Sequence, residues 1–195
     1  MKQILFVCTG NTCRSPMAEA ILRTIAEAKG IEVAVSSAGV STIDGLPVSA
    51  NAVHTLKRRN IEHESSSRAL TKQAVNGADL ILTMTSSHKR GLLQLYPNAV
   101  DKTFTLKEYT NQTDSILQDI EELEGLYSEM QLKQALGQQL SDKERMRLLE
   151  LERRIPSFDI SDPFGGSLSV YQSCAEEIEQ ALHILAEKLD ADKER

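Results

Sequence analysis

One cysteine near the start of the chain stands where nucleophilic chemistry is possible. Cys8 follows the apolar run Ile4–Val7 and opens the loop Cys8-Thr9-Gly10-Asn11-Thr12-Cys13-Arg14-Ser15. Apolar residues at helical spacing follow this loop, so a helix N-terminus with unpaired N–H groups and a favourable dipole should face it. That field, together with a nearby arginine, favours the thiolate form of a cysteine. The spacing therefore predicts a nucleophilic thiolate at Cys8.

The same loop is suited to holding a phosphate. A planar guanidinium can bind two phosphate oxygens at once, and Arg14 supplies one, while the backbone amides of the loop can bind the remaining oxygens. A nucleotide-binding loop of the Walker type would need a lysine and a second glycine, which this loop lacks. The predicted phosphate-binding residues are Thr9, Gly10, Asn11, Thr12, Cys13 and Arg14.

Transfer of phosphate to sulfur also requires a proton for the leaving group, and an acid from elsewhere in the chain normally supplies it. Asp162 is the candidate because it opens Asp-Pro-Phe-Gly-Gly, a rigid, turn-forming segment that can hold a carboxyl group beside the loop. Asp159 lies three residues earlier, and spacing alone leaves it as a competitor.

The elements that position these residues alternate between strands and helices. Strands are predicted at Gln3–Val7, Ile31–Ser36, Asp79–Met84 and Lys102–Leu106, and helices after the first loop and at Ser49–Asn60, Ser86–Leu95 and Leu168–Leu189. Ser15 is the expected N-cap of the first helix, and Gly30 its end. The pattern predicts an α/β fold with three layers: a doubly wound, four-stranded parallel sheet with helices on both faces and ligands beyond the carboxyl ends of the strands.

The segment from about 111 to 155 has a different character. An apolar stripe that includes Ile116 and Ile120, and a capping box at Ser141 and Glu144, predict an inserted helical hairpin that turns near Gly137. It carries ten acidic and six basic side chains, four of the chain's six net negative charges. We expect a single domain over residues 1–195, with a hairpin that packs on it, contacts a partner or forms a lid over the active site.

Composition narrows the functional classes. A net charge of −6 opposes binding to nucleic acid or to an anionic membrane, and no apolar run is long enough for a membrane span. Three cysteines, two of them in one loop, indicate a reducing, cytoplasmic location. Cys174 lies on an apolar helical stripe and is interpreted as a core residue. The four histidines show no pair at metal-ligand spacing, and we expect ordinary surface or packing roles for them.

The loop Val7 to Pro16 and the late Asp162-Pro163 pair resemble the low-molecular-weight protein-tyrosine phosphatase family, over residues 1 to about 110 and about 158 to 190. Within that range, Ser37-Ala38-Gly39 after the second strand resembles a segment beside the family's pocket. The resemblance implies a phosphocysteine intermediate at Cys8, stabilised by Arg14. It also implies that Asp162 acts first as acid and then as base, with no metal or other cofactor.

Further roles follow from the same resemblance. Asn11 resembles the residue that holds the loop in its strained shape, and Ser15 the hydroxyl that stabilises the thiolate. Cys13 resembles a second cysteine that forms a reversible disulfide with Cys8 under oxidation.

Two positions depart from the tyrosine-specific members and match bacterial protein-arginine phosphatases: Thr12, where a bulkier aliphatic residue is usual, and Asp-Pro-Phe-Gly, with Phe164, where Asp-Pro-Tyr-Tyr is usual. The resemblance therefore implies arginine-phosphorylated proteins as substrates, with Thr12 orienting phosphoarginine and Asp162 binding its guanidinium. The alternatives are a tyrosine phosphatase acting on tyrosine-phosphorylated proteins, an arsenate reductase, and a non-catalytic phosphate-binding module. An arsenate reductase needs relay cysteines in the middle of the chain, where this sequence has none.

Overall fold

A four-stranded parallel sheet forms the centre of the computed structural model, which describes residues 1–111 and 113–191. The strands lie in the order β2-β1-β3-β4, where β1 is Lys2–Cys8, β2 is Val33–Gly39, β3 is Leu80–Thr83 and β4 is Thr103–Thr105. β1 pairs with β2 on one side and with β3 on the other. The chain thus moves to one side of β1 and later to the other, which makes the carboxyl end of β1 a topological switch point.

Helices cover both faces of this sheet, as predicted. They are α1 (Arg14–Lys29), α2 (Ala50–Lys57), α3 (Lys72–Gly77), α4 (Ser86–Leu95), α5 (Leu106–Asn111) and α8 (Leu168–Ala191), with a 3₁₀ helix at Pro97–Lys102. Alternate residues of β1 point to opposite faces. Ile4 and Phe6 belong to the core that contains α1 and α8, and Leu5 and Val7 to the smaller core that contains residues of α3 and α4. No helix among the described residues is long and apolar enough to span a membrane.

Several predicted boundaries were wrong. β2 begins two residues later than predicted and ends at Gly39, because Ser37, Ala38 and Gly39 pair with Phe6, Val7 and Cys8. The prediction of Ser15 as N-cap was also wrong: α1 begins at Arg14, Cys13 is the N-cap, and no side chain caps the helix. Gly30 ends α1 in the left-handed conformation, as predicted. The short helices α3 and α5 were missed.

Two helices, α6 (Asp114–Ala135) and α7 (Asp142–Arg154), occupy the segment predicted as a hairpin. Gly137 adopts a positive φ of 71° between them, and Ser141 and Glu144 form the predicted capping box. The ion pairs Lys133–Glu144, Arg147–Glu122 and Arg154–Asp119 join the two helices in opposite chain order, as in an antiparallel pair. Residues Asn111–Ser157 form one compact unit, and the rest of the chain forms another.

Candidate active site

A cavity of about 300 Å³ opens at the carboxyl end of β1. The loop that was predicted from the sequence forms most of its wall. The segment from Ile160 to Phe164, called the late segment below, completes it. Its lining residues are Cys8, Thr9, Gly10, Thr12, Cys13, Arg14, Asp162 and Phe164. Cys8 and Arg14 are 3% and 6% exposed, whereas Asp162 and Phe164 are exposed, so the cavity has a buried base and an open mouth.

The sulfur of Cys8 lies among hydrogen-bond donors at that base. Its Sγ is 2.9 Å from Ser15 Oγ and accepts a hydrogen bond from the backbone N–H of Asn11 at 3.2 Å. Ser15 Oγ and Asn11 N–H can both donate to a sulfur that attacks as the thiolate, and α1 begins beside it at Arg14. Because Ser15 lies inside α1 and not at its cap, its hydroxyl is available to the sulfur.

Asn11 holds the loop from behind. Its φ of 54° lies in the left-handed region, which asparagine tolerates better than most residues. Its Nδ2 donates to Ser15 Oγ and to Ser37 Oγ, each at 2.9 Å, and its Oδ1 accepts from the backbone N–H of Arg68 at 2.8 Å. This geometry suits the loop-holding role that the resemblance implies.

A buried carboxylate supports that network, and sequence reasoning missed it. Glu19 is 0% exposed and accepts a hydrogen bond from Ser37 Oγ at 2.5 Å. Arg23 and Arg68 lie 2.5 Å and 3.4 Å from its Oε1. The sequence offered one sign of this network, because Glu19 lies on the apolar face of the first helix. A carboxylate that is buried there is expected to have charged or hydrogen-bonding partners.

Arg14 connects the loop to the late segment. Its Nη1 donates to the carbonyl oxygen of Ile160 at 3.3 Å, and its Nη2 lies 3.2 Å from Asp162 Oδ2. Ile160 N–H in turn donates to Met84 O at 2.8 Å, which docks the late segment beyond the end of β3. These contacts place the Asp162 carboxylate at the mouth, beside the guanidinium expected to bind phosphate.

Asp159, the competing acid, has a different place. Its Oδ1 accepts from Ser86 N–H at 2.7 Å and from Ser86 Oγ at 2.9 Å, at the N-terminus of α4. It is not among the residues that line the cavity. Spacing along the chain left both carboxylates as candidates for the acid, and the structure places only Asp162 of these two at the cavity.

Cys13 and Cys174 have separate environments, and no cysteine is in a disulfide. Cys13 Sγ is 3.2 Å from the hydroxyl of Tyr171, which is 3.0 Å from Ser49 Oγ. Burial raises the pKa of Tyr171, and its hydrogen bond to Cys13 raises it further. Cys174 is 0% exposed, and burial raises its pKa to about 12. The core interpretation of Cys174 is confirmed.

His88, for which a surface or packing role was expected, contacts the loop. His88 Nε2 lies 2.7 Å from Thr9 Oγ1, and the ring is 6% exposed. Among the described residues, no group of three or more histidines, cysteines and acids is placed to hold a metal ion. The sequence carried no sign of the Thr9–His88 contact, because the two residues are 79 positions apart.

Comparisons with known proteins identify the family of the chain. The family model described as low molecular weight phosphotyrosine protein phosphatase matches residues 3–125. A protein-arginine-phosphatase of Geobacillus stearothermophilus is 36% identical, with 98% of each chain covered. A probable low molecular weight protein-tyrosine-phosphatase, EpsP of Ralstonia solanacearum, is 39% identical over 55% of this chain and 72% of its own.

A solved structure of the arginine phosphatase YwlE, in a variant with a phosphorylated active-site serine, is similar over almost its whole length. It is 33% identical, covers 98% of each chain and has a TM-score of 0.73. Together with the match of the family model to more than half of the sequence, this similarity establishes the family. The chain therefore belongs to the low molecular weight phosphotyrosine protein phosphatase family and is a phosphatase.

Proposed function

We propose that this phosphatase hydrolyses phosphoarginine on proteins through a phosphocysteine intermediate. Cys8 Sγ attacks phosphorus, the phosphorus–nitrogen bond breaks, and Asp162 gives a proton to the leaving guanidine nitrogen. Water then attacks the phosphocysteine, the sulfur–phosphorus bond breaks, and Asp162 takes a proton from that water. Arg14 and the loop amides from Thr9 to Arg14 stabilise the charge on the phosphoryl oxygens in both steps.

The observation that carries the choice of phosphoarginine is the presence of side-chain oxygen acceptors in the cavity above Cys8. Thr12 is half-buried and lines the cavity, and the Asp162 carboxylate lies at the mouth. A guanidinium is a planar cation with several N–H donors, so oxygen acceptors at this depth suit it. An aromatic ring with no such donors would leave those acceptors unpaired, which costs binding energy.

The comparisons support the same choice. The Geobacillus protein named as an arginine phosphatase is similar over 98% of both chains, including the segment that contains Asp162. The matched part of the tyrosine phosphatase EpsP spans 109 residues. The phosphorylated active-site serine of the YwlE variant supports a covalent route in that relative.

One observation favours phosphotyrosine as a second candidate. Phe164 is 78% exposed and lines the mouth of the cavity, where its ring could pack on the ring of a phosphotyrosine. An aromatic ring can also stack on a guanidinium, so this residue alone does not discriminate between the two substrates.

Two peptides of one sequence, one with phosphoarginine and the other with phosphotyrosine, distinguish these candidates. The wild type should release phosphate faster from phosphoarginine, measured as kcat/KM. Thr12→Ile should lower the ratio of the two values by about tenfold, since it replaces a hydroxyl acceptor with a bulkier apolar group. Thr24→Ile, on the exposed side of α1, is the matched control and should keep the wild-type ratio.

Two results would count against the proposal in different ways. Release from phosphoarginine no faster than from phosphotyrosine by the wild type would remove the arginine assignment. A preference that Thr12→Ile leaves unchanged would remove Thr12 from the explanation while keeping the substrate.

We also propose a cytoplasmic location, with arginine-phosphorylated proteins as the partners. All three cysteines are unpaired, and a thiolate nucleophile stays active only where thiols remain reduced. A reversible disulfide between Cys8 and Cys13 under oxidation stays a prediction.

A further inference from the structure

The contact between Thr9 and His88 has no part in the two steps proposed for the reaction. We propose that the Thr9 hydroxyl accepts a hydrogen bond from the guanidinium of phosphoarginine, and that His88 holds the hydroxyl in place for this purpose. Thr9 is then a specificity-determining residue and His88 a positioning residue. This inference rests on the proposed function, since it concerns the leaving group of that substrate.

The position of Thr9 at the mouth supports this role. Phosphorus must lie at the buried base, within reach of the Cys8 sulfur, so the leaving group extends toward the exposed part of the cavity. Thr9, Asp162 and Phe164 are the exposed members of the lining. Thr9 therefore lies at the level of the leaving group, and its side chain carries an acceptor oxygen that a guanidinium N–H could use.

His88 lies close to Thr9 because of the strand order. β3 follows β1 in the sheet, and Met84 N–H donates to Val7 O at 3.0 Å just beyond their paired residues. α4 begins two residues later, and its N-cap Thr85 accepts from His88 N–H at 3.2 Å. The cap fixes the backbone of His88, and from there the ring reaches Thr9.

The hydrogen bond to Thr9 is the only side-chain hydrogen bond of this ring within the described part of the chain. Its Nδ1 is buried and has no partner among those residues, while its Nε2 lies 2.7 Å from Thr9 Oγ1. A buried ring with one bond to an exposed hydroxyl restricts the rotation of that hydroxyl group. Thr9 is thus preorganised, although it lies at an exposed position.

The charge of the ring also suits a cationic leaving group. Burial, and then the nearby Arg14, lower the pKa of His88 to about 4, while Asp162 and Asp159 act in the opposite direction. The ring is therefore neutral at neutral pH and does not repel a guanidinium. In either tautomer of the neutral ring, at least one lone pair of Thr9 Oγ1 remains for the substrate.

The test compares Thr9→Val, His88→Leu, the double variant and His88→Gln with the wild type on the two phosphopeptides. Thr9→Val and His88→Leu should each lower the phosphoarginine-to-phosphotyrosine ratio of kcat/KM by about fivefold, the effect of one hydrogen bond. The double variant should lower the ratio no further, because both changes remove the same interaction. His88→Gln, which keeps a polar group near the position of Nε2, should restore most of the ratio.

Matched controls are Thr24→Val and His183→Leu, at exposed positions outside the cavity, and both should keep the wild-type ratio. A purely structural role would lower both kcat/KM values together, and an unchanged ratio in Thr9→Val would overturn the inference. Thr9→Val is at an exposed position, so it decides the question even if His88→Leu fails to fold. A wild type without preference for phosphoarginine would instead overturn the proposed function itself.

Discussion

At the scale of single residues, the sulfur of Cys8 is surrounded by donors that suit a nucleophile. Ser15 Oγ and Asn11 N–H lie 2.9 Å and 3.2 Å from it, and Asn11 also connects Ser15 to Ser37. The buried Glu19 lies behind Ser37.

Cys8→Ser should stop multiple turnover but should trap phosphate on the new serine. Serine can accept the phosphoryl group in the same loop. An alkoxide is a much poorer leaving group than a thiolate, so the second step stalls. Mass spectrometry of the variant after incubation with substrate would show the added phosphoryl group. Cys8→Ala should show neither turnover nor phosphate, and turnover by that variant would remove Cys8 from the mechanism.

Asp162→Asn should lower kcat by roughly a hundredfold, the usual contribution of a general acid and base. The loss should be smaller with p-nitrophenyl phosphate, whose leaving group scarcely needs a proton. Asp159→Asn is the matched control, because an asparagine can still accept the hydrogen bonds from Ser86 and keep the start of α4. A larger loss in Asp159→Asn than in Asp162→Asn would reverse the assignment of the acid.

His88 should make the folded state less stable in acid. Its pKa falls from 6.5 to about 4 on folding, so between these values the unfolded chain binds a proton that the folded chain does not. The free energy of unfolding should therefore decrease as pH falls through this range, by at most about 1.4 kcal/mol per pH unit from this group. Urea denaturation at several pH values should show a weaker decrease for His88→Gln than for wild type. The exposed His183→Gln should follow the wild type, and equal slopes for all three would contradict the prediction.

At the scale of elements, the end of β2 lies against the loop that follows Cys8. A Cβ atom added to Gly39 would lie 2.6 Å from Thr9 O, closer than real Cβ atoms approach, and 3.1 Å from Asn11 N, tighter than most real Cβ contacts. Both atoms belong to the backbone of the loop, and Gly39 N–H itself donates to Arg68 O at 2.8 Å. An added Cβ would therefore force either the end of β2 or the backbone of the loop to shift.

Gly39→Ala should therefore lower kcat/KM by about tenfold or more while the protein stays folded, because a small displacement of the loop around Cys8 is costly for catalysis. Circular dichroism and phosphatase assays would measure the two effects. Gly91→Ala in α4, where an added Cβ meets no atom within 4 Å, is the matched control and should keep full activity. Full activity in Gly39→Ala would show that the loop adapts.

At the scale of the whole molecule, the chain contains two compact units, of which Asn111–Ser157 is the smaller. Leu148 and Leu151 are its buried hydrophobic residues among those that the structure describes, while Leu132, Leu136 and Met146 are more than 60% exposed. A unit with so little buried apolar surface should open more readily than the sheet. One domain with an inserted hairpin, and contact of that hairpin with a partner, remain predictions.

Ser141→Ala removes the capping box of α7 and should destabilise that helix by about 1 kcal/mol. Hydrogen exchange should become faster in α6 and α7 and stay unchanged in α1 and α8, if the hairpin opens by itself. Ser128→Ala on α6, whose hydroxyl donates to Glu124 O of the same helix, is the control. Equally faster exchange throughout the chain would show that the two units unfold together.

The sequence by itself determined the parts of the site that are contiguous. The eight residues from Cys8 to Ser15 follow one buried strand and enter one helix, so local backbone geometry brings them together around the Cys8 sulfur. The alternation of strands and helices also predicted the sheet, and the bounds of α4 agree with the prediction. Ser15 misled the prediction of the cap, because a serine near a helix start looks the same whether it caps the helix or contacts a sulfur.

Only the tertiary structure decided which distant side chains support the loop. Glu19 with Ser37, His88 with Thr9 and Tyr171 with Cys13 are 18, 79 and 158 positions apart. They meet because the parallel strands β2, β1 and β3 end at one edge of the sheet and because α8 packs on α1. The tertiary structure also places Asp162 at the mouth of the cavity and Asp159 at the start of α4. Spacing along the chain carries no information on such contacts, since they depend on the order of strands in space.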